Sequence, residues 1–96
     1  MPPEITIDVA ERDDGWLATV TVREAASSTT HAVTVTRAAL ERLAFGARVE
    51  ALLHASFEFL LEREPKESIL RQFDIEVISR YFPDYPRKIA RALERG

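Results

Sequence analysis

The sequence predicts an α+β domain: a three-stranded antiparallel sheet packed on a central amphipathic helix, followed by short C-terminal helices. Three observations predict it. Much of residues 4–36 alternates apolar and polar side chains with a period of two, as half-buried strands do. Residues 48–63, RVEALLHASFEFLLER, instead place Val49, Leu52, Leu53, Ser56, Phe57, Phe59 and Leu60 on one helical face about 160° wide. Beyond residue 64, prolines at 65, 83 and 86 divide the chain into short segments. A face that wide needs cover from more than one side, so this helix is expected to be the wall shared by the sheet and the tail. The length predicts a single domain, with 1–36 as the sheet and 37–96 as the helical part.

Along the chain, Glu4–Glu11 points Ile5, Ile7 and Val9 one way, and Trp16–Glu24 alternates too. Asp14-Gly15 between them predicts a two-residue turn, because a type I′ turn needs positive φ at both central positions. Closing there pairs Asp13 with Trp16, Val9 with Val20 and Ile7 with Val22, which puts the apolar residues of both strands on one face. A polar connection, Ala25–Thr30, leads to a third strand, His31–Thr36, with His31, Val33 and Val35 on one parity. The other face of the sheet is rich in threonine (Thr6, Thr19, Thr21, Thr34, Thr36), as suits a solvated β surface. Thr36 predicts the N-cap of a helix over Arg37–Phe45, with Leu40, Leu43 and Ala44 inward, and Gly46 predicts its stop.

After the central helix, Pro65 fits the first position of a helix over Pro65–Phe73 with Ile69, Leu70 and Phe73 inward. Asp74 is expected to cap another over Ile75–Phe82, presenting Ile75, Ile78, Tyr81 and Phe82 to the core before Pro83 ends it. A last helix runs from Pro86 to Arg95, with Ile89, Ala90 and Leu93 inward and Arg87, Arg91 and Arg95 in an i, i+4, i+8 stripe beside Lys88.

Composition bounds the function classes. The absence of cysteine excludes disulfide staples, thiolate metal sites and thiol nucleophiles. The apolar runs fall short of the roughly 18 residues of a membrane span, and Met1-Pro2-Pro3-Glu4 lacks signal-peptide features, which predicts a cytoplasmic protein with no membrane partner. The formal charge of −3 argues against strong nonspecific attraction to nucleic acid. That charge is uneven, with acids prevailing in residues 1–29 and cations in residues 86–96.

Glu50, His54 and Glu58 form one column on the central helix, but its spacing matches neither Glu-x-x-His nor paired-histidine metal sites. No serine sits in a nucleophile-elbow context, and three glycines supply neither a P-loop nor a dinucleotide fingerprint. The expectation is a non-catalytic interaction or regulatory domain without cofactor or metal. Its partner would be a protein or a second copy of the chain. The candidate surface is Arg87, Lys88, Arg91 and Arg95, which would meet an acidic partner or the acidic hairpin of another copy. The alternative is a small DNA-binding regulator. The order strand, helix, helix over His31–Arg63 resembles ribbon-helix-helix repressors, with Ala32, Thr34 and Thr36 facing base edges. Similarly, Glu67–Phe82 resembles a helix-turn-helix.

The stretch SFEFLLEREPKESIL (Ser56–Leu70), continuing through Phe73-Asp74-Ile75 and Ile78-Ser79-Arg80-Tyr81-Phe82-Pro83, resembles a group of small uncharacterised bacterial proteins. The resemblance implies a bacterial, cytoplasmic origin. It carries no activity and no functional residue. Read physically, the stretch is core and punctuation, with charges from Glu62 to Arg80 crowded around an elbow that could form an ion-pair network or a contact surface.

Overall fold

Alternation in the first third of the chain yields three long strands, β1 (Glu4–Arg12), β2 (Gly15–Glu24) and β3 (Ser27–Thr36), joined as an antiparallel meander. The computed structural model describes residues 2–95, without the side chain of Arg95. The expected faces hold: Ala18, Val20, Val22, Val33 and Val35 are buried, while Thr6, Thr19 and Thr34 are exposed on the open side.

Two turns differ from expectation. The first hairpin closes on Asp13-Asp14, so Arg12 pairs with Gly15, Val9 with Ala18 and Ile7 with Val20. The register is therefore two residues away from the predicted one. Two is the side-chain period of a strand, so every side chain keeps its face. Neither Asp13 nor Asp14 has positive φ, and Gly15 begins β2 directly opposite Thr36. The second hairpin needs only Ala25-Ala26, so the expected polar connection is mostly strand. There Ala25 takes φ 56°, a left-handed conformation that costs an L-residue about 1–2 kcal/mol. Without glycine at that position, the sequence did not advertise the turn.

A helix α1 (Arg37–Ala44) follows β3, its N-cap the Thr36 hydroxyl, which accepts from the Ala39 N–H at 3.0 Å. Gly46, at φ 85°, ends the connection as expected. The central helix α2 (Val49–Leu61) buries the seven predicted residues and exposes Ala51, His54, Glu58 and Glu62. Phe57 is fully buried, its ring 5.4 Å from that of His31 on β3 and 6.2 Å from that of Phe73.

The tail departs most from expectation. In place of a helix over Pro65–Phe73 there is a single 3₁₀ turn, Lys66–Ser68, and then a short strand β4 (Gln72–Asp74). This strand lies parallel to β3 and makes the sheet four-stranded and mixed, in the order β1-β2-β3-β4. The free edge of β3 decides the matter: the Ala32 N–H donates to the Arg71 carbonyl at 2.8 Å, and the Ile75 N–H to the Thr34 carbonyl at 2.9 Å. A helix over the same residues would leave those β3 groups without partners. Asp74 reinforces the junction by accepting from the Thr34 hydroxyl at 2.8 Å and from the Glu76 N–H at 3.0 Å. The next helix shrinks to α3 (Val77–Tyr81), and the last, α4, spans Tyr85–Arg95.

Tyr85, absent from the core expected from the sequence, is fully buried beside Phe59, with ring centres 5.3 Å apart. The Ser56 hydroxyl donates its one hydrogen to the Leu52 carbonyl at 2.7 Å. The Tyr85 hydroxyl, 2.6 Å from Ser56 Oγ, must therefore be the donor in that pair. Burial pushes the phenol up to about 12, which keeps the donor protonated. Among the described residues, no helix is long and apolar enough to cross a membrane.

Candidate apolar cleft and charged helix face

The elbow after α2 builds a cleft. Pro65 stops the helical course, Ile69 turns into the core, and pairing of β4 with β3 turns Phe73 inward while Leu70 stays at the surface. The cleft is about 180 Å³ in volume, with Leu60, Ile69, Leu70, Phe73, Tyr81 and Phe82 supplying its apolar wall. Glu64 and Ser68 are its polar margin. Leu70 is 46% exposed and Tyr81 67%, although both were expected to face the core. Helical spacing assigned them inward; a strand after Arg71 and a five-residue α3 do not.

Behind the cleft stands His31, a fully buried mid-strand residue where the first residue of the strand was expected. Its Nδ1 lies 2.7 Å from the Leu70 carbonyl, which can only accept, so Nδ1 carries the proton of the neutral ring. Nε2 then accepts from the Thr29 hydroxyl at 2.8 Å. The Leu70 bond ties β3 to the cleft wall, and the Thr29 bond, within β3, holds the ring in place. Burial holds the His31 pKa below its ordinary 6.5, the Arg71 cation adds to the effect, and the bond to Leu70 opposes it. Below 6.5 the unfolded chain therefore takes up a proton before the folded one does. Stability should fall as pH drops from 6.5 through the lower folded value, and level off beneath it. Urea midpoints measured from about pH 7.5 to about pH 5.5 should show this slope, and His31→Gln should flatten it. A wild-type midpoint as flat as the variant's would contradict the burial account.

The elbow charges are divided. Arg63 lies 3.6 Å above the Phe59 ring and donates to the Phe59 carbonyl, while its guanidinium also reaches Asp84 at 3.7 Å. Lys66, one of those charges, is buried, and its ammonium donates to Glu67 at 2.8 Å with Glu24 at 4.0 Å. That hydrogen bond holds the Glu67 carboxyl below its ordinary value.

On α4, Tyr85 and Ile89 are buried, and Arg87, Lys88 and Arg91 project to solvent without an ion pair among the described residues. The Arg95 side chain lies outside the described part. In the column on α2, His54 and Glu58 are exposed and Glu50 is half-buried, with His54 Nδ1 3.5 Å from Glu58; no group of three His, Asp or Glu placed to hold a metal occurs among the described residues.

The DNA-binding resemblances do not match this geometry. A ribbon-helix-helix strand pairs with its copy, whereas β3 has β2 on one side and β4 on the other. The segment read as a helix-turn-helix is a 3₁₀ turn, a strand and five helical residues. Comparison with protein-family models, curated proteins and solved structures returns no match.

Proposed function

We propose that this chain is a non-catalytic protein-interaction domain whose elbow cleft receives one aromatic or branched aliphatic side chain from an extended partner segment. The apolar cleft flanked by exposed Leu70 and Tyr81 carries this reading. Its 180 Å³ is below the roughly 300–1,000 Å³ of pockets that enclose small-molecule ligands, but close to the roughly 150 Å³ that holds one benzene ring. A single side chain is the occupant of that size. The wall is hydrocarbon, with Glu64, Ser68 and the Tyr81 hydroxyl as its polar side-chain groups, a set suited to recognition and without a nucleophile held by a base.

Magnitudes bound the affinity. Fully burying such a side chain contributes about 1.5–3 kcal/mol, less than the roughly 4–15 kcal/mol that association costs. Contacts at the margin, where Glu64 and Ser68 stand, must supply the rest.

The test is a panel of short polar peptides, each with one Phe, Trp or Leu, followed by amide shifts in NMR. Shifts should concentrate at Leu70, Phe73 and Tyr81 and vanish in Leu70→Asp, whose melting temperature should stay near wild type because the site is half exposed. Absence of shifts for every peptide up to about 1 mM would overturn the reading.

A further inference from the structure

We infer that the chain also associates with itself head to tail, the basic face of α4 in one copy lying across the acidic groove beside α2 in the next. The first support is where the cations sit. Favourable interaction with the helix dipole accounts for arginine near the C-terminus of α4, but Arg87 and Lys88 are the third and fourth residues of a helix that begins at Tyr85, where that dipole disfavours positive charge. They are exposed and make no ion pair among the described residues, so no direct partner there offsets their placement.

The complementary surface lies between the start of β1 and the outer side of α2. This groove, about 640 Å³ in volume, has an apolar floor that includes Ile5, Leu61 and Pro65, and is bordered by Glu24, Glu58, Glu62 and Glu64. Arg63 also lines it, but its guanidinium is already engaged with Phe59, Glu62 and Asp84. Glu58 and Glu62 repeat at i, i+4 along α2, as Arg87 and Arg91 do along α4. Both pairs therefore advance about 6 Å along their helices, and the two rows can face each other. Arginine and lysine stems can cover the apolar floor while their charged ends meet the carboxylates.

A chain cannot close this contact on itself. Its own α4 packs on α2 through Ser56 and Phe59, whereas the groove adjoins Leu61 and Ile5 on the β1 side. The two surfaces are different patches, and placed head to tail their meeting is heterologous and extends from copy to copy. A second copy supplies a matching row of cations at the same concentration as the groove. This inference shares the view of the chain as an interaction domain and touches the cleft only at Glu64, which borders both.

Sedimentation velocity on the full chain tests it. At low ionic strength the average mass should rise with protein concentration, and at about 0.5 M salt it should return to that of the monomer. The double variants Arg87→Gln/Arg91→Gln and Glu58→Gln/Glu62→Gln should each be monomeric alone. Mixed, they retain one intact groove and one intact basic face between them, so association should stop at a 1:1 dimer while the wild type grows past a dimer, and that difference distinguishes a head-to-tail contact from a symmetric one. Leu70→Asp should associate like wild type, so the cleft and this contact can fail separately. A wild-type mass that stays monomeric up to about 1 mM at low salt, or association that ignores salt and both double variants, would overturn the inference.

Discussion

Replacing Phe57 by alanine should lower the unfolding free energy by about 3–5 kcal/mol, a large part of the roughly 5–15 kcal/mol that holds an ordinary domain together. The ring is fully buried and is the piece of α2 that meets both His31 on β3 and Phe73 on β4. Its removal takes away the transfer energy of an aromatic side chain and leaves a void that three elements would have to close together. Leu53 and Leu60, buried on the same face, should cost about 2–5 kcal/mol each on truncation. Urea denaturation measures all three. The Phe57 variant should also lose amide protection at β4 before it does so at the β1–β2 hairpin, because β4 holds to the sheet by one short ladder, the Thr34–Asp74 hydrogen bond and this ring. A loss below about 1 kcal/mol at Phe57 would mean that the core lies elsewhere.

How much of this was legible depends on how local its cause is. The buried face of α2 follows from spacing within thirteen residues, and the seven inward positions read from the sequence are the seven buried ones. The faces of β1 and β2 were readable for the same reason, and a register error of two residues left them intact. β4 had no such local cause. Ile69 and Phe73 turn inward whether their segment is helix or strand, and Pro65 can open either an α-helix or a 3₁₀ turn. What chose the strand was the unpaired edge of β3, some forty residues earlier in the chain. The alternation of Phe73, Asp74 and Ile75 was a faint sign of it.

The cleft was lost with that choice, since Leu70 and Tyr81 reach the surface only once the helical reading of residues 65–82 is given up. Tyr85 was hidden in another way. It stands between Pro83 and Pro86, where the sequence reads as punctuation, and its burial rests on the hydroxyl of Ser56 on a different helix.

Gly15→Ala should cost about 1–3 kcal/mol, toward the upper end because the obstructing atoms are backbone that cannot rotate away. A Cβ at Gly15 would lie 2.0 Å from the Val35 carbonyl oxygen and 2.7 Å from Thr36 Cα. To admit it, the end of β3 would have to withdraw from β2. That end carries the Thr36 cap of α1, and the adjoining Arg37 N–H donates to the Asp14 carbonyl at 2.8 Å, so the strain would reach the first helix. Gly46 is the useful contrast. Nothing lies within 4 Å of a Cβ there, and its φ of 85° makes alanine costly, by about 1–2 kcal/mol, for conformational reasons alone. Asparagine, which tolerates left-handed backbone, separates the two causes. At Gly46 it should recover part of the alanine loss, while at Gly15 it should be worse than alanine because it is larger. Urea midpoints for the four variants decide it, and a Gly15→Asn variant as stable as wild type would return that glycine to the turn and refute the close pairing of Gly15 with Thr36.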